Sequence, residues 1–311
     1  MRIVLSCLAL LAAPCASQLT SPPAGYVSMP GQFIHASCVH AAVGDVAPTE
    51  EHAQICPYPA LPSRQPQARS GSSFFAGGKQ EEEEEEEEEE QVSRKLYYSS
   101  WVTWAGFSDS SISSFTSSFL VPPPPVDYLF VTTLFFFNGL QDKGIGEGAN
   151  YILQPVLQYG KSGCGGGNYW SFAAFYVSAS GRAYCGQTFK VSPGSELVGS
   201  MSRNDADGTW NVVMEDRTAN QTSTYTTGTA LVDDMKPTFA CITMEGIVVY
   251  NCRAFPGSDE TRFYDNVLLG EGGKEIEPTW EGVVKKNECD QNVRVETDGS
   301  GDVTIIHDVH V

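Results

Sequence analysis

From Arg94 onward the chain alternates short apolar or aromatic runs with turn-forming residues, the two-residue period of β-strands and not the longer period of helices. The pattern predicts strands near Tyr98–Phe107, Ser113–Leu120, Tyr128–Phe137, Tyr151–Gln158, Tyr169–Ser178, Thr188–Val191 and Glu196–Ser202. Others are expected near Trp210–Glu215, Thr222–Thr227, Thr238–Tyr250, Phe263–Leu269, Trp280–Lys285, Val293–Glu296 and Val303–His307. Breakers separate them at Pro122–Pro125, Gly144–Gly148, Gly163–Gly167, Pro193–Gly194, Asp205–Gly208 and Asp298–Gly301. No long amphipathic helix interrupts the series. So many short strands in one stretch are the rhythm of one large sandwich and not of two domains, so residues 94–311 read as a single all-β domain.

The residues before it read differently. Met1-Arg2, an apolar run from Ile3 to Ala13 and small residues around Cys15, Ala16 and Ser17 follow the order of a secretory signal, whose core is too short to span a bilayer. Residues 1–17 are therefore expected to be cleaved and the product to be secreted. Residues 18–93 are rich in Pro, Ser, Ala and Gly, lack sustained periodicity and end in ten consecutive glutamates, Glu81–Glu90. Such a segment is expected to be disordered, because it cannot bury enough apolar surface to offset its ordering entropy; its functional alternative is a removable propeptide.

The formal net charge of −19 falls to −9 once those ten glutamates are set aside. No cluster of Lys and Arg remains to neutralise phosphates, which excludes a nucleic-acid partner. No later run reaches the length of a membrane span, so no membrane partner is expected and the product is read as a monomer in solution.

Of nine cysteines, Cys7 and Cys15 leave with the signal, and Cys38, Cys56, Cys164, Cys185, Cys241, Cys252 and Cys289 remain. Export predicts disulfides, and the odd number leaves at least one thiol unpaired within the chain. Connectivity stays open, a Cys38–Cys56 pair being one alternative. No CxxC or Cys/His cluster has zinc spacing, so no metal is expected, and no organic cofactor is indicated. Asn220-Gln221-Thr222 is an N-glycosylation sequon in the polar surroundings of a surface loop.

Gly144, Gly146 and Ala149 match a loose dinucleotide fingerprint, but no helix follows. Cys164-Gly165-Gly166-Gly167 lacks the Lys-Ser/Thr ending of a phosphate loop. The five histidines are His35, His40, His52, His307 and His310, so none lies in the body of the sandwich, and a Ser/His or Cys/His nucleophile would have to borrow one from a tail. Hydrolytic chemistry is thus directed to carboxylates and amides.

Several stretches, in order, resemble the eqolisins, the glutamic peptidases. They are Trp104-Ala105-Gly106, Tyr151-Ile152-Leu153-Gln154, Tyr169–Tyr176, Phe189–Val191 with Pro193-Gly194, Trp210–Glu215, Ala240–Glu245 and Phe263–Val267. The resemblance runs from about Trp101 to the end of the chain. It implies a concanavalin A-like β-sandwich of two antiparallel sheets with a glutamine and a glutamate on one concave sheet, at Gln154 and Glu245 here. It also implies a polypeptide substrate, cleavage in acid, and substrate contacts at Trp104, Phe137, Gln141 and Trp170. The chain departs from the family where Gln141 and Ala174 replace acidic residues that support the dyad.

The chemistry of such a pair follows from the groups themselves. A carboxylate takes a proton from water as the water attacks a peptide carbonyl and later returns one to the leaving amine. An amide NH₂ hydrogen-bonds the oxyanion without titrating. Strand alternation puts Gln154 on the face of Ile152, Val156 and Gln158, and Glu245 on that of Thr243 and Ile247. The rival readings are a non-catalytic sandwich that binds glycan or peptide through aromatics such as Trp104, Phe137, Trp170, Phe172 and Phe175, and a glycoside hydrolase, which would need two carboxylates roughly 5–10 Å apart.

Overall fold

A computed structural model describes residues 24–30, 32–41, 61–62, 98–144, 147–228, 235–285, 287–296 and 301–307. The segment expected to be a signal peptide, residues 1–17, the glutamate run and Cys56 lie outside the described residues. The N-terminal strands are β1 (Tyr26–Met29), β2 (Gln32–His35), β3 (Val39–Ala41) and β4 (Leu61–Pro62). The body begins with β5 (Tyr98–Ser108), β6 (Ile112–Leu120), β7 (Thr133–Gln141), β8 (Tyr151–Ser162), β9 (Gly165–Ser178), β10 (Ala183–Cys185), β11 (Phe189–Lys190) and β12 (Glu196–Arg203). It continues through β13 (Trp210–Asp216), β14 (Gln221–Thr226), β15 (Phe239–Val249), β16 (Glu260–Gly270), β17 (Glu275–Ile276), β18 (Glu281–Val284), β19 (Asn292–Val295) and β20 (Val303–Ile306).

The body folds as the expected sandwich. One sheet has nine strands, running β18-β5-β15-β7-β8-β9-β10-β3 with β11 also paired to β9. The other has eight, running β14-β13-β12-β6-β16-β20-β19 with β17 on β16. Every pairing within the body is antiparallel; β3 joins β10 in parallel, Ala183 opposite Val39 and Cys185 opposite Ala41. Between the sheets lies the main core, to which β7, β8, β9 and β15 contribute Phe136, Leu157, Trp170 and Met244, and the opposite sheet Phe119, Met201, Trp210 and Phe263.

The nine-stranded sheet is covered on both faces. Every residue of β7 and of β15 is buried, which is why the Leu134–Phe137 run carries no polar alternation. The face turned away from the main core carries a second apolar cluster, in which Phe135, Phe137, Val156, Phe175 and Ile247 pack with Met29, Phe33 and Ile34 of the N-terminal strands and Cys38 of the 3-10 turn after β2.

That covering differs from the expectation for residues 18–93. Met29 opposite Gln32 and Val27 opposite Ile34 make a hairpin of β1 and β2, and the sequence between the two strands is Pro30-Gly31, a turn-forming dipeptide flanked by apolar residues. A two-stranded hairpin is marginal alone. This one gains its burial from the sheet beneath, which no composition reading sees.

The strand expected at Tyr128–Phe137 lies instead at Thr133–Gln141. Thr132 N donates to Leu129 O at 2.7 Å, closing a turn, and Phe130 is 85% exposed. Asn138-Gly139, beyond the expected end of the strand at Phe137, is strand interior. Gly139 is suited to it, because a Cβ there would sit 3.1 Å from Cys241 Sγ and 3.3 Å from Ile152 Cδ1. Cys164 pairs with Cys185 and Cys252 with Cys289, Cys38 is also disulfide-bonded, and Cys241 is a buried free thiol.

Candidate functional site

Strand register fixes how the candidate residues meet. β7 lies between β15 and β8, with Glu245 opposite Phe135 and Phe135 opposite Gln158. Two residues along, Thr243 pairs with Phe137 and Phe137 with Val156. Gln154 is two residues beyond Val156 on the same face and lies level with Gly139 and Cys241. Gln154 and Glu245 therefore share one face of one sheet, two strands apart and four residues out of level, with Phe137 between them. Strand spacing of about 4.8 Å and a rise of about 3.3 Å per residue make that diagonal about 16 Å between Cα atoms in a flat sheet.

Both side chains are withdrawn from solvent, Gln154 being 1% and Glu245 0% exposed. Gln154 Oε1 is buried with no hydrogen-bond partner among the described residues, and so is the hydroxyl of Ser171 on the neighbouring strand. An orphaned buried acceptor is costly and calls for an explanation. Gln158 is fully engaged: its Nε2 donates to Gly165 O at 2.9 Å and Gly160 O at 3.3 Å, and its Oε1 accepts from Ser162 Oγ at 2.7 Å.

A β-bulge shapes the wall beside Glu245. Between β15 and β5 the register shifts, so Met244 faces Thr103 but Glu245 faces Trp101. Without that extra residue Trp101 and Trp104 would point to opposite faces; with it both reach the face of Glu245. Their rings lie 5.8 Å apart, and Trp101 meets Phe137 edge-on at 5.7 Å. Trp101 is the residue the sequence reading missed, since strand alternation alone assigns it to the other side.

Of the substrate-contact candidates, Trp104, Phe137 and Gln141 stand on this face. Gln141 donates its amide to Lys143 O, which turns it toward the β7 end loop. Trp170 does not join them: it points into the main core against Phe136 at 5.9 Å and Tyr159 at 5.1 Å. Phe172 likewise points inward, leaving Trp104, Phe137 and Phe175 of the proposed stacking set on the outer face. His307 is buried between the sheets, bonded to Thr261 Oγ1 at 2.9 Å and edge-on to Phe136, so it serves no nucleophile here. Across the outward positions of Phe135–Gln141, Ile152–Gln158, Ser171–Val177 and Phe239–Ile247, Glu245 is the single carboxylate, and a two-acid glycosidase site finds no second acid there. Among the described residues no group of His, Cys, Asp and Glu could hold a metal ion.

Cys241 shares the face. Its thiol lies 3.6 Å from Gly139 O, and complete burial pushes its pKa far above the ordinary thiol range, only slightly opposed by that contact. It is thus a neutral, unreactive packing group. Asn220 stands exposed at the tip of the β13–β14 hairpin with a positive φ of 53°.

No family model matches the chain, and no curated protein matches it. Among solved structures it is similar to scytalido-glutamic peptidase with a peptide-based transition-state analogue, at 14% identity and a TM-score of 0.47 over 66% of this chain and 98% of that one. It is similar to SCP-B, a member of the eqolisin family of peptidases in a complex with the tripeptide Ala-Ile-His, at 14% identity and a TM-score of 0.46 over 66% and 98%. Lectin II from Ulex europaeus is similar at 13% identity and a TM-score of 0.27, over 44% of this chain and 66% of its own. Likenesses this distant leave the function to be argued from the site's own residues.

Proposed function

We propose that the protein is a secreted, acid-acting endopeptidase in which Glu245 activates water and returns its proton to the leaving amine, while Gln154 stabilises the oxyanion. The observation that carries this reading is the placement of Gln154 and Glu245 on one buried face of one sheet. The ordered sequence resemblance to eqolisins from Trp101 onward supports it. The scissile amide would lie over Phe137, between the two side chains. Carboxylate and amide together supply the proton transfer and the charge stabilisation that amide hydrolysis needs.

Burial of the pair makes the full chain latent. In this reading the segment spanning 18–93 is a propeptide, and cleavage begins only once it has left the face. Exposure to an oxidising compartment agrees with the disulfides Cys164–Cys185 and Cys252–Cys289. Among the described residues no helix is long and apolar enough to cross a membrane.

The test is to produce the full chain with the face uncovered by Met29→Asp and Ile34→Asp, with and without Glu245→Gln, and follow digestion of an unfolded protein from strongly acid to neutral pH. Cleavage that rises in acid and vanishes in the variant supports the peptidase. A folded, uncovered wild type that cleaves nothing would leave a sandwich that binds glycan or peptide on the same face without hydrolysing it.

A further inference from the structure

The hairpin on the outer face is itself an extended polypeptide held by this sheet. We infer that β1 and β2 stand where a substrate chain lies, and that the face selects segments with large apolar side chains at alternate positions. This rests on the peptidase reading of the same face and adds the substrate class to it.

Three observations converge. Met29 and Ile34, on one side of the hairpin, are completely buried, in the cluster that contains Phe135, Phe137 and Phe175. The hairpin is also gripped by its backbone: Gly163 N donates to Ser28 O at 3.1 Å. A Cβ on Gly163 would lie 2.8 Å from both Met29 Sδ and Val27 Cγ2, so the bare glycine lets those side chains seat against it without being displaced. Finally, β3 continues from the hairpin by adding a strand to the β10 edge. Main-chain bonding plus pockets for alternate side chains is how sheets recognise extended peptides without reading every residue.

Register gives the pattern. Val27, Met29 and Ile34 lie on one side of the hairpin, and Val27 and Met29 meet the body at Gly163. Residues two apart on a ligand strand thus enter apolar surroundings, where an aliphatic or methionine side chain gains burial and a charged one loses its hydration.

The experiment uses the full chain in the Glu245→Gln background, with Met29→Asp and Ile34→Asp to lift the hairpin. It is titrated with two labelled peptides: a copy of residues 24–41, and that copy with serine at 27, 29 and 34. The inference expects the lifted protein to bind the apolar peptide about tenfold or more tighter than the serine peptide, and the unlifted protein to bind both about tenfold more weakly. Equal binding of the two peptides, or binding of neither by a lifted protein with intact circular dichroism and cooperative unfolding, overturns it. If the double variant does not fold, Gly163→Leu lifts the hairpin from the body's side and is titrated identically. Restoring Glu245 separates the two claims. Selective binding without cleavage sinks the peptidase reading alone, whereas cleavage of both peptides at equal rates sinks the selectivity alone.

Discussion

Glu245 and Gln158 lie level with one another across Phe135, so the glutamine directly opposite the acid is not Gln154. The two glutamines are distinguished by what they already hold. Gln158 ties the β8–β9 hairpin together through Gly160, Gly165 and Ser162, while Gln154 Oε1 is buried without a hydrogen-bond partner among the described residues.

That difference predicts opposite phenotypes. Gln154→Ala is expected to lower kcat roughly 100- to 1,000-fold, the cost of removing an oxyanion donor, with little change in unfolding. Gln158→Ala is expected to cost about 1–3 kcal/mol of stability by stripping partners from buried carbonyls, with activity per folded molecule retained. Urea titration beside single-turnover cleavage checks both, and the reverse assignment would name Gln158 as the working amide.

The tyrosines of the main core predict an alkaline limit. Tyr176, Tyr184 and Tyr225 pack with ring centroids 5.8–6.1 Å apart. Burial first, then neighbouring Tyr184, pushes the Tyr176 phenol up to about 12. Burial also carries Tyr151 and Tyr225 above the ordinary phenol range. A folded pKa raised in this way gives stability that is complete below the ordinary value near 10 and is lost as pH rises toward the folded value, roughly 2–3 kcal/mol for Tyr176 alone. Unfolding midpoints should therefore fall above pH ~10, in step with phenolate absorbance at late-titrating tyrosines. A midpoint flat across that range would contradict it.

Disulfide removal tests how the edge is held. Cys164–Cys185 closes a separation of 21 residues beside the strand to which β3 is added, and Cys252–Cys289 one of 37. Replacing each pair by alanine is expected to cost about 3 and about 4 kcal/mol respectively. The first change should also raise amide exchange in β10, and hydrogen exchange with mass spectrometry reads both outcomes.

Asn220 is geometrically ready for a glycan. It is exposed at a hairpin tip whose turn is held by Thr218 N and Ala219 N donating to Asp216 Oδ1 at 2.9 and 3.0 Å. Produced through a eukaryotic secretory route, the protein should carry one mass increment that Asn220→Gln abolishes. Asn220→Ala should in addition cost about 1 kcal/mol, because asparagine tolerates the left-handed backbone there better than alanine.

Much of this was legible in the chain itself. The alternation of apolar and polar residues located nearly every strand of the body, because side chains on a pleated strand must choose between two faces and one face is a core. It placed Gln154 with Val156, and Glu245 with Thr243, for the same reason. What alternation cannot see is anything that depends on a second segment. The bulge beside Glu245 turns Trp101 outward only because β5 carries one residue more than β15 pairs with. Trp170 faces inward because its strand's register, set by β8, gives that side to the main core. The hairpin of Tyr26–Met29 and Gln32–His35 is too short to fold alone; it is ordered by burial against the cluster of Phe135, Phe137 and Phe175, more than ninety residues away in sequence. Composition and period determined the sandwich and the faces of its strands, while tertiary contact decided which residues meet on the candidate site and what covers it, since burial is a property of pairs of surfaces and not of one stretch of chain.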